Sequence, residues 1–283
     1  MSDPVRIAVP TKGRLQDPSA LLLKQAGLRF ERGERSLSVP VADTPFELLF
    51  VRTEDIPELV ADGVATLGIT GLDVVEEAAV AVDVSAFLGF GRCRLVAAVP
   101  EGDSAGTLAD LEGYRIATSH PLVVGRFFEN KGLSITTVPL RGSVEVAPRL
   151  DVAGAVVDLV STGSTMKFNG LRPIATLLES EAVLVTNDRD RNGVVRTLTT
   201  MIRAVVTARR KRYVMMNAPS AAVDAIAGII PGIEAPTVIP LAQAGMVAVH
   251  SVVDTGEVWR VLPKLEEAGA TGILVLPIEQ MIA

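Results

Sequence analysis

The sequence predicts an α/β protein with two lobes around a cleft, followed by a smaller domain whose strands and helices come in a different order. Three observations predict it. From Val5 to Val185, short apolar β-branched runs alternate with helical patterns. A turn-rich break at Pro100–Gly106, with extended segments resuming after Pro173, implies that the chain enters a second lobe and comes back. The last 70 or so residues read strand-helix-strand-strand-helix-strand, the ferredoxin-like order.

Composition narrows the function. The 283 residues suffice for two or three domains, with 48% hydrophobic and only 4% aromatic residues, so the cores are built from Val, Leu, Ile and Ala. A net charge of −6 argues against general nucleic-acid binding. Cys93 stands alone, which excludes an intrachain disulfide and a cysteine-cluster metal site, and two histidines make a His-rich metal site a poor expectation. No apolar run approaches the roughly 20 residues of a membrane span. The chain starts directly with a strand pattern and no basic-plus-apolar leader, so a cytoplasmic protein is expected, with no membrane partner.

In chain order, Val5–Val9 predicts a strand and Leu15–Ala26 a helix stopped by Gly27. Between them, Lys12 and Arg14 stand beyond a strand's carboxyl end, where open α/β sheets bind ligands. Cations there suit a polyphosphate or form a solvated basic turn. Strands are expected at Val39–Val41, Phe46–Val51 and Leu67–Thr70, with a helix at Glu54–Asp62. Gly71 lets backbone approach a ligand closely, and Asp73 either caps the next helix or contacts a nucleotide. In the crossing segment Ala86–Val99, Arg92 and Arg94 share a face if it is a strand, which suits phosphate recognition or surface pairing with acids.

The second lobe has expected strands at Arg115–Thr118, Ile135–Pro139 and Ala155–Val160, and helices at Leu122–Asn130 and Val144–Leu150. His120 reads as a turn residue rather than a base. Glu145, in a first helical turn, favours the dipole or holds ribose or magnesium. After Asp158 come Ser161, Thr162, Gly163, Ser164 and Thr165, then a short helical pattern closed by Asn169-Gly170. Strand, hydroxyl-rich turn and helix start make a phosphate cradle, with Asp158 placed to accept hydrogen bonds from sugar hydroxyls; the alternative is a capped turn with no ligand. Strands Ile174–Leu178 and Ala182–Val185 then lead to the charged connector Asn187–Gly193. Leu198, Met201, Ile202, Val205 and Val206 mark an amphipathic helix ending in Arg209–Arg212. The predicted lobes are residues 1–99 with 174–195, and 100–173; residues 196–283 form the linker helix and the last domain.

The Asp158–Thr165 stretch resembles the ribose-phosphate loop of phosphoribosyltransferases. Together with Ile7–Leu15, Leu67–Asp73, Leu88–Leu95, Arg115–Ser119, Gly142–Pro148, Asn169–Leu171 and Ala235–Val238, in that order, it is similar to the long-form ATP phosphoribosyltransferases. The resemblance covers nearly the whole chain. It implies a two-lobed, periplasmic-binding-protein-like catalytic core with a ferredoxin-like regulatory domain, in which N1 of the adenine of ATP attacks C1 of phosphoribosyl pyrophosphate (PRPP). Asp158, Glu145 and Lys12 become the implied catalytic residues. Ser161, Thr162, Gly163, Ser164 and Thr165 would hold the 5-phosphate, while Arg14, Gly71, Asp73, Arg92 and Arg94 meet the remaining substrate. Mg²⁺ is the implied cofactor, carried mainly by substrate. Histidine is the implied inhibitor, near Asn217, Thr237, Val249, His250 and Ser251, and a hexamer of dimers the implied assembly. The sequence departs from the family at Thr66, usually acidic, at His120, usually aromatic, and at Met246, usually Trp. The competing expectation is a two-lobed anion- or solute-binding protein without catalysis, which needs no ferredoxin-like domain.

Overall fold

The computed structural model describes residues 4–33, 36–161, 164–187 and 193–282. In the first lobe come β1 (Val5–Pro10), α1 (Gln16–Gln25), β2 (Ser38–Pro40), β3 (Phe46–Val51), α2 (Ile56–Ala61), β4 (Leu67–Gly71), α3 (Leu72–Ala78) and β5 (Asp83–Phe87). Parallel pairing of β1 with both β3 and β4 makes it an interior strand, and its last four residues are buried accordingly.

The second lobe holds β6 (Cys93–Pro100), β7 (Arg115–Thr118), α4 (Pro121–Asn130), β8 (Thr136–Pro139), β9 (Ala155–Val160), α5 (Ser164–Phe168) and β10 (Leu171–Ser180). Its sheet order is β10-β6-β9-β7-β8. The chain then returns as β11 (Ala182–Thr186), which slots between β4 and β5 and completes the first sheet, β2-β3-β1-β4-β11-β5. Ala155, Val156 and Val157 are fully buried, as a strand covered on both faces requires.

Three expectations change. β6 and β10 belong to the second sheet, so the crossings lie at residues 88–92 and at Glu181 rather than near 99 and 174. The Pro100–Gly106 turn is a loop inside the second lobe, held by Arg172 Nη2 on the carbonyls of Asp103 (3.2 Å) and Ala105 (2.7 Å). Residues 144–150 form a 3-10 helix with Pro148 inside it, because proline supplies no N–H and blocks α-helical geometry.

The first crossing is stitched to β11 by Leu88 N–H to the Ala182 carbonyl and Ala182 N–H to the Phe90 carbonyl, both 2.9 Å. Gly91 turns it with φ +65°, and a Cβ there would collide with Leu15 Cδ2. This turn therefore favours glycine.

A second compact unit comprises Leu22–Gly27 and Arg196–Ala283. After α6 (Val194–Arg209) come β12 (Lys211–Pro219), α7 (Val223–Ile229), β13 (Thr237–Pro240), β14 (Met246–Asp254), α8 (Val258–Glu267) and β15 (Thr271–Pro277). The antiparallel sheet β13-β14-β12-β15 is the ferredoxin-like arrangement, and Val214, Met216, Val249, Ile226 and Leu265 fill the core between sheet and helices. Among the described residues no helix is long and apolar enough to cross a membrane.

Candidate active site

The carboxyl ends of β1 and β4 in the first lobe face the carboxyl end of β9 in the second. A cavity of about 290 Å³ is lined by Lys12, Gly13 and Arg14 after β1, Thr53 and Glu54, Gly71, Asp73 and Val74, and by Leu159 from β9. A second cavity of about 500 Å³ is lined by Arg92, Cys93, Arg94, Val160, Ser161 and residues 179–181, with Leu72 and Phe87.

Asp73 is the pivot of the site. It is not the helix cap: Gly71 holds that position, and Asp73 is buried one residue into α3. Its Oδ1 accepts from Ser180 Oγ at 2.5 Å and lies 3.8 Å from Arg14 Nη2; its Oδ2 lies 3.4 Å from His120 Nε2. Burial raises the Asp73 pKa, but hydrogen bonds from His120 and Ser180 and the charge of Arg14 more than offset this, so the carboxyl sits below the usual aspartate range. Gly71 permits the arrangement, since a Cβ at that position would run into Asp73 Oδ1.

Arg14 also donates from Nη2 to Cys93 Sγ at 2.9 Å. Burial, and then the charge of Asp73, push the Cys93 thiol upward, so it is a neutral acceptor here. The loop carrying Lys12 and Arg14 is anchored by Arg32, whose Nη2 donates to Thr11 Oγ1 at 2.7 Å and whose guanidinium carbon lies 4.1 Å from the centre of the Phe50 ring. Sequence reasoning misses Arg32 and Ser180, and it takes Cys93 only as a lone cysteine; each acts through a contact made only in the fold.

On the second lobe, Asp158 is half-buried and its Oδ1 accepts the Leu159 N–H at 2.8 Å. Burial first, and the neighbouring charge of Glu145 next, raise its pKa above the usual range. Glu145 itself sits in the 3-10 helix, which gives it a weak dipole at most. His120 is buried at the N-terminus of α4, with Nδ1 2.9 Å from Ser119 Oγ, and it reaches across to the first lobe rather than serving a turn alone.

Arg92 and Arg94 line the larger cavity, apart from Lys12 and Arg14. Arg92 precedes β6 and pairs with Glu181 at 3.0 Å, while Arg94 stands opposite Glu179 in the strand register. Their acidic neighbours make this a balanced surface rather than a purely cationic one. Ser161 lines the same cavity. Thr162 and Gly163 lie outside the described residues, and of Ser164 and Thr165 only the backbone, opening α5, is described. The Thr66 departure lies before β4, at the amino end of the strand and away from the cleft.

In the second unit, Thr237 pairs with His250 and Asn217 with Ala248 on the outer face of the sheet, where Tyr213 Oη meets His250 Nδ1 at 2.7 Å. Val249 is fully buried and Ser251 Oγ donates to the Ile230 carbonyl at 3.1 Å, so these two point to the opposite face. The five residues expected around histidine therefore do not converge: three share one face and two the other. Met246, opposite Pro219, begins β14.

Comparison with known proteins gives a consistent result. Residues 52–205 match the family described as ATP phosphoribosyltransferase, and residues 208–280 the one described as HisG, C-terminal domain. A Gemmatimonas aurantiaca protein named ATP phosphoribosyltransferase is 43% identical over 98% of this chain and 99% of its own. One of the same name from Natronomonas pharaonis is 43% identical over 98% of this chain and 100% of its own. The solved ATP phosphoribosyl transferase (HisG:HisZ) complex from Thermotoga maritima superposes with a TM-score of 0.63 at 31% identity, covering 71% of this chain and 97% of that one.

Proposed function

This chain belongs to the ATP phosphoribosyltransferase family, and from that premise we propose how its residues divide the work. The enzyme transfers the phosphoribosyl group of PRPP to N1 of the adenine of ATP and releases pyrophosphate, at the first step of histidine biosynthesis. The bond from C1 to the pyrophosphate oxygen breaks, with its electron pair leaving on pyrophosphate, and the N1 lone pair forms the new bond to C1. Adenine N1 carries no proton at neutral pH, so no strong general base is required. Catalysis rests on orientation and on stabilising separated charge.

The cavity in which Lys12 and Arg14 face Leu159, on the strand that carries Asp158, is the observation that carries this division of labour. Lys12 and Arg14 take the pyrophosphate or triphosphate oxygens, with Arg14 aimed by Asp73 and Cys93. Asp158, with Glu145 beside it, receives the ribose hydroxyls. The Ser161–Thr165 turn takes the 5-phosphate, and Arg92 and Arg94 contribute at its margin.

Mg²⁺ suits this donor set. Among the described residues no three His, Cys, Asp or Glu side chains gather as a metal site, so the ion would keep mainly substrate oxygens and water. Asp158 and Glu145, which repel each other, are the carboxylates that would meet it. When bound, the ion neutralises charge on the departing pyrophosphate. The expected result is that pyrophosphate is released only when PRPP and ATP are both supplied; release equal with and without ATP, or none, would refute the reading.

The ferredoxin-like unit is the regulatory part, binding histidine at the outer sheet face around Asn217, Thr237 and His250, and the enzyme works as a hexamer of dimers in the cytoplasm. Replacing His250 by alanine is expected to raise the histidine concentration for half-inhibition about tenfold or more, as loss of one hydrogen bond to a charged ligand implies, with uninhibited activity unchanged. Dose–response curves in saturating PRPP and ATP measure it.

A further inference from the structure

Two short helices face each other across the lobes. α3 in the first presents Asp73, Glu76 and Glu77, spaced i, i+3 and i+4, to the start of α4 in the second. The N-terminus of α4 lacks a cap of its own: His120 at the N-cap makes no side-chain capping bond, and Pro121 has no N–H. The first two donors, Leu122 N–H and Val123 N–H, both go to Glu77, at 3.0 Å to Oε1 and 2.9 Å to Oε2. Arg126 Nη2 then reaches the Glu76 carbonyl and lies 3.8 Å from its carboxylate. With Asp73 against His120, three successive contacts run along one seam.

We propose that Glu77 is a positioning residue that sets the separation of the two lobes by capping a helix of the opposite lobe. The inference rests on the reading above that the substrates meet in the cleft. Its force comes from connectivity. α4 follows β7, and β7 pairs in parallel with β9, with Thr118 opposite Val157, so the start of α4 and the Asp158 end of β9 lie together at the carboxyl ends of neighbouring strands. On the other side, Glu77 is one helical turn from Asp73, which holds Arg14. A rigid link from Glu77 to α4 therefore fixes the span from the first-lobe cations to the second-lobe ribose site. A carboxylate on two helix-terminal N–H groups is charge-assisted and directional in a way that apolar contacts are not. The same contact occupies the positive end of α4, leaving no open donors there to compete for substrate phosphate.

Glu77→Gln tests this in the full-length protein, because an amide retains one acceptor and turns an NH₂ group toward the other backbone N–H. The expected result is a KM for PRPP raised about tenfold with kcat within about twofold, since bound substrates restore the span that the free enzyme has lost. Glu77→Asp, which keeps both acceptors, should recover part of that loss. Spin labels on exposed positions of the two lobes, D62C and E129C, report the span directly: in unliganded E77Q the distance distribution should broaden relative to the parent. Wild-type KM together with an unchanged distribution overturns the proposal. A lower melting temperature with KM and distances unchanged makes the contact merely structural and overturns it equally. A parent enzyme that releases no pyrophosphate would instead refute the functional reading, and the distance measurement would still decide the role of Glu77.

Discussion

Asp158→Asn should lower kcat/KM for PRPP about 10²–10³-fold, the loss expected when charge-assisted hydrogen bonds to two ribose hydroxyls become neutral ones in a transition state that is cation-like at the adjoining carbon. Oδ1 of Asp158 is already engaged by the Leu159 N–H, which in the proposed arrangement leaves Oδ2 for the sugar. The variant should fold normally. Burial and then Glu145 hold the folded pKa of Asp158 above its unfolded value, so its ionised form costs stability at neutral pH; removing the charge should leave the melting temperature unchanged or slightly higher. The same raised pKa sets a sign for activity. As pH falls, Asp158 takes up its proton earlier than an ordinary aspartate, and the acid limb of the kcat/KM profile for PRPP lies correspondingly high. Glu145→Gln removes the repulsion and should move that limb to lower pH. A limb that stays in place would separate Glu145 from Asp158 functionally.

The largest stability effect is expected at Asp73. Asp73→Asn removes a buried charge that serves Ser180, His120 and Arg14 together, and breaking such a cluster from one side costs about 3 kcal/mol or more. The sign follows from the depressed folded pKa: the contribution is complete above the ordinary aspartate range and is lost as pH falls through the lowered value. The gap in melting temperature between parent and variant should therefore be full at neutral pH and shrink below about pH 4. A gap that does not change with pH would mean that packing, rather than charge, is what Asp73 supplies. Activity should fall as well, since Arg14 loses one of its two anchors.

Much of this architecture is legible in the sequence, because its signals are local. Ala155–Val160 reads as a strand covered on both faces because every residue but Asp158 is apolar, and the break into Ser161 marks its end. β5 was missed as a strand of its own because Asp83–Phe87 lies at a sheet edge and is neither strictly alternating nor wholly apolar. The 144–150 segment is expected to be a helix, whereas Pro148 within it argues against α-helical geometry. The lobe boundaries were drawn at the strongest turn signal, but a turn signal does not distinguish a loop within a sheet from a passage between sheets. Least readable was the Glu77 contact, which joins residues 45 apart through backbone N–H groups that carry no side-chain signature. The residues expected around histidine show the opposite limit: Val249 and His250 are neighbours in sequence, but a pleated strand sends them to opposite sides.

The placing of β11 bears on how the protein is made. β11 separates β4 from β5, so β5 has no partner in the sheet until residues 182–186 have left the ribosome, nearly a hundred residues after β5 itself. The second lobe, contiguous from Cys93 to Ser180, has all its strands by then and can close first. β5 and the free side of β4 thus wait for the younger half of the polypeptide, with an open sheet margin exposed during synthesis.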